Sequence, residues 1–143
     1  MIKMNYKIIA KYIKDLKFII PNANTFFLLS KNISNYKINI NIRSEQIKNK
    51  IIEVETCLSL EPKINDESEK IDTKIIFSTL IQLDGDLTNK EDLEKIILIK
   101  VPSEIYKEIR STFVYLFEKS GFKDIKIDNV VDFEKLYQKR KIQ

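Results

Sequence analysis

The 143-residue chain contains no histidine, one cysteine, two glycines and three prolines. Without histidine it lacks both the side chain that titrates nearest neutral pH and the commonest transition-metal ligand. Histidine-based catalytic triads and zinc-hydrolase motifs are therefore excluded. Gly85 and Gly121 stand far apart, whereas phosphate-cradling loops need several glycines close together to bring backbone amides to the ligand; there is no P-loop and no dinucleotide fingerprint. Cys57 alone cannot form an internal disulfide or a cysteine-rich zinc site, and it has no histidine to activate it as a nucleophile. A lone cysteine suits a reducing compartment, and a cytoplasmic location is expected. Long apolar runs are missing too. Tyr6 to Ile20 is interrupted by Lys11, Lys14, Asp15 and Lys17, so no secretory signal core forms, and no stretch is long enough to span a bilayer. The expectation is a protein that is not an enzyme and carries no cofactor and no metal.

What is present is an ordinary globular composition. A 43% hydrophobic content suffices for one core, and residues 1–143 are read as a single domain. The 25 basic and 21 acidic residues are mixed along the chain, leaving a net charge of +4 with no like-charged arm for nucleic acid. The one basic cluster, Lys135 to Lys141 with Arg140, suits the negative end of a helix.

Hydrophobic period divides the chain. Tyr36, Ile38, Ile40 and Ile42 alternate with Lys37, Asn39, Asn41 and Arg43, which predicts a half-buried strand. Ile52, Val54, Thr56, Leu58 and Leu60 alternate with Glu53, Glu55, Cys57, Ser59 and Glu61 in a second strand that Pro62 ends. A third, Asp72 to Leu83, places Ile75, Phe77, Thr79, Ile81 and Leu83 on one side, and a hairpin with a long tip across Lys63 to Lys70 joins the two. The opening segment fits a strand with Tyr12, Leu16, Phe18 and Ile20 on one face and Lys11, Ile13, Asp15 and Lys17 on the other; Ile9, Ile13 and Leu16 also fit a helix. It runs into Pro21-Asn22-Ala23 and then Phe26 and Phe27, read as an apolar loop.

After Asp84-Gly85-Asp86 the spacing becomes helical. Ile105, Ile109, Phe113, Leu116 and Phe117 define a core-facing helix with Pro102 near its start and Gly121 as its stop. Asp132 can cap a shorter terminal helix carrying Phe133, Leu136 and Tyr137. The fold class is α+β: a four-stranded antiparallel sheet followed by a long helix and a shorter C-terminal helix. On the sheet's outer face the alternation places Ile13, Ile19, Ile76 and Leu80, and apolar surface there marks an interface. The Asp84 and Asp86 pair is explained by turn chemistry. Glu53 and Glu55 share a strand face that suits a solvated edge or a docking patch.

In this order the segments resemble the bacterial protein-export chaperone family SecB. Tyr12 to Phe18 followed by Pro21-Asn22-Ala23 looks like that family's opening strand and crossover loop, and Glu53-Val54 like part of a later strand. Pro102, Ile105, Tyr106 and Arg110 fall where its long helix begins, Phe122 follows Gly121 near that helix's end, and Phe133 to Tyr137 resembles its terminal helix. Departures are Lys107-Glu108-Ile109, where the family usually has a proline-tyrosine pair, a loop before Phe133 one residue longer, and a basic rather than acidic balance.

The resemblance implies an ATP-independent holdase, a homotetramer built as a dimer of dimers, that keeps unfolded preproteins translocation-competent. It implies a client groove lined by Phe26, Phe27, Leu28, Phe133, Leu136 and Tyr137, although these aromatics fit a core as well. It also implies an outer sheet face that docks the SecA motor through acids. Asp15 matches one such position, Ile19 and Lys74 replace others, and Glu53, Glu55 and Asp72 are the remaining candidates. The weak acidic pattern keeps open a second role, a dedicated chaperone for one partner such as an antitoxin of a toxin–antitoxin system.

Overall fold

The structure, a computed structural model, describes residues 5–32, 36–62, 71–85, 89–122 and 127–142, and side chains throughout these except at 28–32, 36, 62 and 140–142. Strands β1 (Asn5–Ile19), β2 (Tyr36–Lys48), β3 (Ile51–Pro62) and β4 (Asp72–Asp84) form one antiparallel sheet in the order β1-β4-β3-β2. Helix α1 (Ala23–Asn32) lies on the crossover from the β1 edge to the β2 edge. Helix α2 (Lys90–Lys95), a π-helical turn (Ile96–Lys100) and α3 (Val101–Lys119) follow one another without a break, and α4 (Phe133–Ile142) ends the described chain. This is the α+β arrangement expected from the periodicities. The tip between β3 and β4, residues 63–70, lies outside the described residues.

One sheet face and one helix stripe make the core. Ile52, Val54, Leu58 and Leu60 of β3 and Ile75, Phe77, Ile81 and Leu83 of β4 are buried with Ile105, Ile109, Phe113 and Phe117 of α3. Each such side chain contributes roughly 1.5 to 3 kcal/mol on leaving water. The half-buried Ile38, Ile40 and Ile42 of β2 extend this face toward the sheet edge.

The opening strand departs from simple alternation. Its register against β4 shifts between Ile8 and Ala10 and again between Ile13 and Asp15, so Ile9 and Lys14 are bulge residues. Because of the second bulge, Tyr12 lies opposite Ser78 on the outer face while Ile13 lies opposite Phe77 on the helical side. The expected grouping of Tyr12 with Leu16 and Phe18 is thus corrected, and so is the placement of Ile13 on the outer face. Ile19, Ile76 and Leu80 do lie on the outer face, by the pairing of Ile19 with Asp72, Asp15 with Ile76 and Glu53 with Leu80.

The crossover is also corrected from loop to helix. Asn22 Oδ1 accepts the Thr25 N–H (2.8 Å) and the Asn22 carbonyl accepts the Phe26 N–H (3.2 Å), so Asn22 starts α1. Helical structure after β4 likewise begins earlier than the apolar spacing implied. The Asn89 side chain accepts the Glu91 and Asp92 N–H groups and caps α2. Pro102 is the second residue after the π turn, and the pairing explains why. Its ring would press on the Leu98 carbonyl in an unbroken α-helix, and widening the turn, with the Val101 N–H reaching the Ile96 carbonyl, relieves that contact.

At the other end of α3 the chain reverses at Gly121 (φ +98°). The Phe122 N–H reaches the Phe117 carbonyl (3.0 Å), the Gly121 N–H reaches the Glu118 carbonyl (3.1 Å), and the Phe117 and Phe122 rings meet at 5.6 Å. A Cβ at Gly121 would stand 3.1 Å from Phe26 Cζ. Gly121→Ala should therefore destabilise the chain by about 1–2 kcal/mol in urea unfolding and shift the Phe26 ring in NMR spectra.

Candidate functional site

The candidate site is built by the way α4 is fastened. Asp132 accepts the Lys135 N–H at 3.0 Å and starts the helix. The segment before it is tied to α3, with the Tyr106 hydroxyl donating to the Asp128 carbonyl (2.7 Å) and Arg110 Nε to the Ile127 carbonyl (3.0 Å). Phe133 is buried, its ring edge-on to Tyr106 at 6.0 Å. Tyr137 is buried as well and its hydroxyl donates to Glu94 of α2 at 3.1 Å. Leu136, between these anchors, stays 42% exposed.

Leu136 and Tyr137 face the edge of the sheet. With Leu98 of the π turn and Ile40, Asn41 and Ile42 of β2 they line an open hollow of about 270 Å³. A second hollow, of about 680 Å³, shares Ile42, Leu98 and Tyr137 with the first and adds Arg43, Ser44, Ile97 and Glu94. Consecutive residues 40–44 form one wall, which means that the strand edge itself, and not one of its faces, borders the trough. Among the described residues β2 pairs only with β3, so that edge presents backbone N–H and C=O groups with no neighbouring strand.

Of the six residues expected to line a client groove, Leu136 and Tyr137 line the hollows. Phe133 sits beneath them in the core. Phe26 packs on Phe122 with centroids 4.8 Å apart, near Gly121, and Phe27 is 55% exposed; neither lines either hollow. The Leu28 side chain lies outside the described residues. Leu98, Ile40 and Ile42 were not singled out from the sequence as site residues. A signal for Leu98 existed: the run Ile96-Ile97-Leu98-Ile99 is too apolar to turn only one face to a core at helical spacing.

The four acids expected on a docking face all lie on the outer face of the sheet, spread along β4 from Asp72 to Leu80, the partner of Glu53. Glu53 is buried there, accepting the Tyr12 hydroxyl (2.7 Å), the Ser78 hydroxyl (2.7 Å) and Lys14 Nζ (3.3 Å). Lys14 also bonds Glu55, Lys17 pairs with Asp72 at 2.7 Å, and Lys74 pairs with Asp15 at 3.6 Å. The hydrogen bonds from Tyr12 and Ser78, helped by Lys14 and opposed by burial, hold the Glu53 carboxyl below its ordinary value of 4.5. A depressed folded value means that this group stabilises the chain fully above pH 4.5 and loses that contribution as pH falls through the lower folded value. Glu53→Gln should therefore cost about 1–2 kcal/mol at neutral pH, with the difference shrinking in acid when urea unfolding is compared across pH.

A helical layer on one sheet face, a free strand edge and an open trough between them have the form of a polypeptide-binding protein. The family model described as "Preprotein translocase subunit SecB" matches residues 2–143. The chain belongs to the SecB family of protein-export chaperones. It is 37% identical over 139 residues to a Pelagibacter ubique (strain HTCC1062) protein assigned to SecB, covering 95% of this chain and 96% of that one. It is 28% identical over 145 residues to the protein-export protein SecB of Anaplasma phagocytophilum (strain HZ), covering 92% and 89%. Among solved structures, a Mycobacterium tuberculosis SecB-like chaperone in complex with a ChAD peptide from the HigA1 antitoxin shares the fold, with a TM-score of 0.65 at 10% identity over 88% of each chain.

Proposed function

We propose that the chain is an ATP-independent holdase that receives unfolded preproteins in the trough between β2 and α4 and keeps them translocation-competent. The observation that carries this reading is the pairing of an apolar hollow, lined by Ile40, Ile42, Leu98, Leu136 and Tyr137, with the unpaired edge of β2. An extended client can place an apolar side chain in the hollow while its backbone follows the strand edge. Each buried apolar side chain adds roughly 1.5 to 3 kcal/mol. Several such contacts along one long client sum to tight binding without demanding a particular sequence. Phe26 and Phe27 extend the client surface from α1, and Phe133 supports it from below.

The working assembly is a homotetramer, a dimer of dimers. Edge strand β1 leaves Ile13 and Leu16 on its helical side and Ile19 on its outer face 44% to 48% exposed, apolar surface along the edge that favours association between copies. The protein acts in the cytoplasm, with no nucleic-acid partner, and delivers clients to the SecA motor at the outer sheet face, where Asp15, Glu53, Glu55 and Asp72 lie. Among the described residues no helix is long and apolar enough to cross a membrane.

A second reading, a dedicated chaperone for one partner such as an antitoxin, is favoured by the lysine pairing of those four acids. A photo-crosslinking residue at position 136 tests both. Capture of many unfolded preproteins by an assembly with the mass of four chains supports the export role. Capture of one small partner supports the dedicated role, and a monomer that captures neither overturns both.

A further inference from the structure

The outer sheet face carries a charge pattern that its acids alone do not reveal. Asp15, Glu55 and Asp72 each hold a lysine of the same face, namely Lys74, Lys14 and Lys17, while Glu53 is buried beneath Lys14 and Tyr12. Arg43 adds a further cation directly opposite Glu55 in the β2–β3 register. The lysines are interleaved with the acids: Lys17 lies opposite Lys74, two residue pairs in from Ile19 and Asp72. At distances beyond the screening length of about 8 Å at physiological salt, such closely paired charges cancel and project little field toward an approaching partner.

We infer that Lys17 and Lys74 are built-in counter-ions that mask the acids of this face, so that a cationic partner docking there is captured weakly and with little dependence on salt. Resting on the export reading above, the inference concerns the SecA motor as that partner and names two specificity-determining residues that set its affinity. The Lys17–Asp72 and Lys74–Asp15 pairs are about half exposed. Exposed pairs contribute only about 0–1 kcal/mol each, so the lysines can be replaced without unfolding the sheet, and the acids they release become available to a partner.

The test compares binding of purified SecA to the native assembly, to Lys17→Gln/Lys74→Gln and to Lys11→Gln at low and high salt. Lys11 pairs with Glu108 on the helical side, and its replacement controls for releasing an acid from a lysine away from the outer face. The double variant should bind about tenfold more tightly at low salt and lose that gain at high salt, with Lys11→Gln unchanged. The inference is overturned if the native protein already binds tightly with steep salt dependence, if the double variant gains nothing, or if Lys11→Gln gains as much. Suppression of client aggregation by the same preparations separates the two levels: its loss in the native protein overturns the chaperone reading, whereas its retention with unchanged SecA binding overturns the masking alone.

Discussion

Leu136→Asp is expected to weaken client capture by about tenfold or more while leaving thermal stability near that of the native chain. Leu136 is 42% exposed and lines the smaller hollow beside Leu98 and Ile40, so its side chain has little core contact to lose and much ligand contact to give. Removing one large apolar contact forfeits roughly 1.5 to 3 kcal/mol, and a carboxylate in its place repels the apolar segments that the trough would receive. Fluorescence anisotropy with a labelled, reduced client polypeptide measures the loss, and circular dichroism melting checks the fold. Unchanged affinity would remove Leu136, and with it this hollow, from the binding surface.

Phe133→Ala, three residues earlier on the same helix, should do the opposite first: lower stability by about 3–5 kcal/mol. Phe133 is 2% exposed and packs edge-on against Tyr106, whose hydroxyl in turn holds the chain entering α4. With the ring gone, α4 loses a core anchor and is held by its packing on the π turn and by Tyr137, including the bond to Glu94. Urea unfolding should show an earlier midpoint, and hydrogen exchange should show α4 opening before α3. Client affinity falls as a consequence, because Leu136 and Tyr137 no longer form a wall. The two substitutions together separate lining from support: one changes binding at constant stability, the other changes both.

The parts of the fold that were legible in sequence share a physical reason. In β2, β3 and β4 one face meets the helical layer, so Ile38 to Ile42, Ile52 to Leu60 and Ile75 to Leu83 keep an alternation of period two. In α3 the buried stripe of Ile105, Ile109, Phe113 and Phe117 keeps a helical period. Edge strand β1 was misphased because bulges at Ile9 and Lys14 each insert a residue, and a bulge leaves no mark in a count of apolar spacing. Helix α1 was hidden by Pro21-Asn22, which reads equally as a turn and as a helix cap. The early start of the helical run at Lys90 was hidden by Pro102, whose place inside that run depends on the π turn.

Exposure did not decide which expected residues border the hollows. Leu136 is partly exposed and Tyr137 buried, yet both line them, while Phe133 is buried beneath and the exposed Phe27 lies elsewhere. Leu98 in its apolar run and Ile40 in its alternating strand are visible as structural residues, but what makes them a site is the juxtaposition of a sheet edge with a helical turn some 60 residues away in the chain. The masking of the outer acids was likewise beyond reach, since Lys17 meets Asp72 and Lys74 meets Asp15 only through the cross-strand register. That register depends on the same bulge that defeated the reading of β1.

The most direct test of the central claim is light scattering from a chemically denatured preprotein diluted into buffer with the purified assembly and no nucleotide. The account predicts that scattering is suppressed at near-stoichiometric ratios by the native protein and far less by Leu136→Asp. Undiminished aggregation in the presence of the correctly folded native assembly would contradict it.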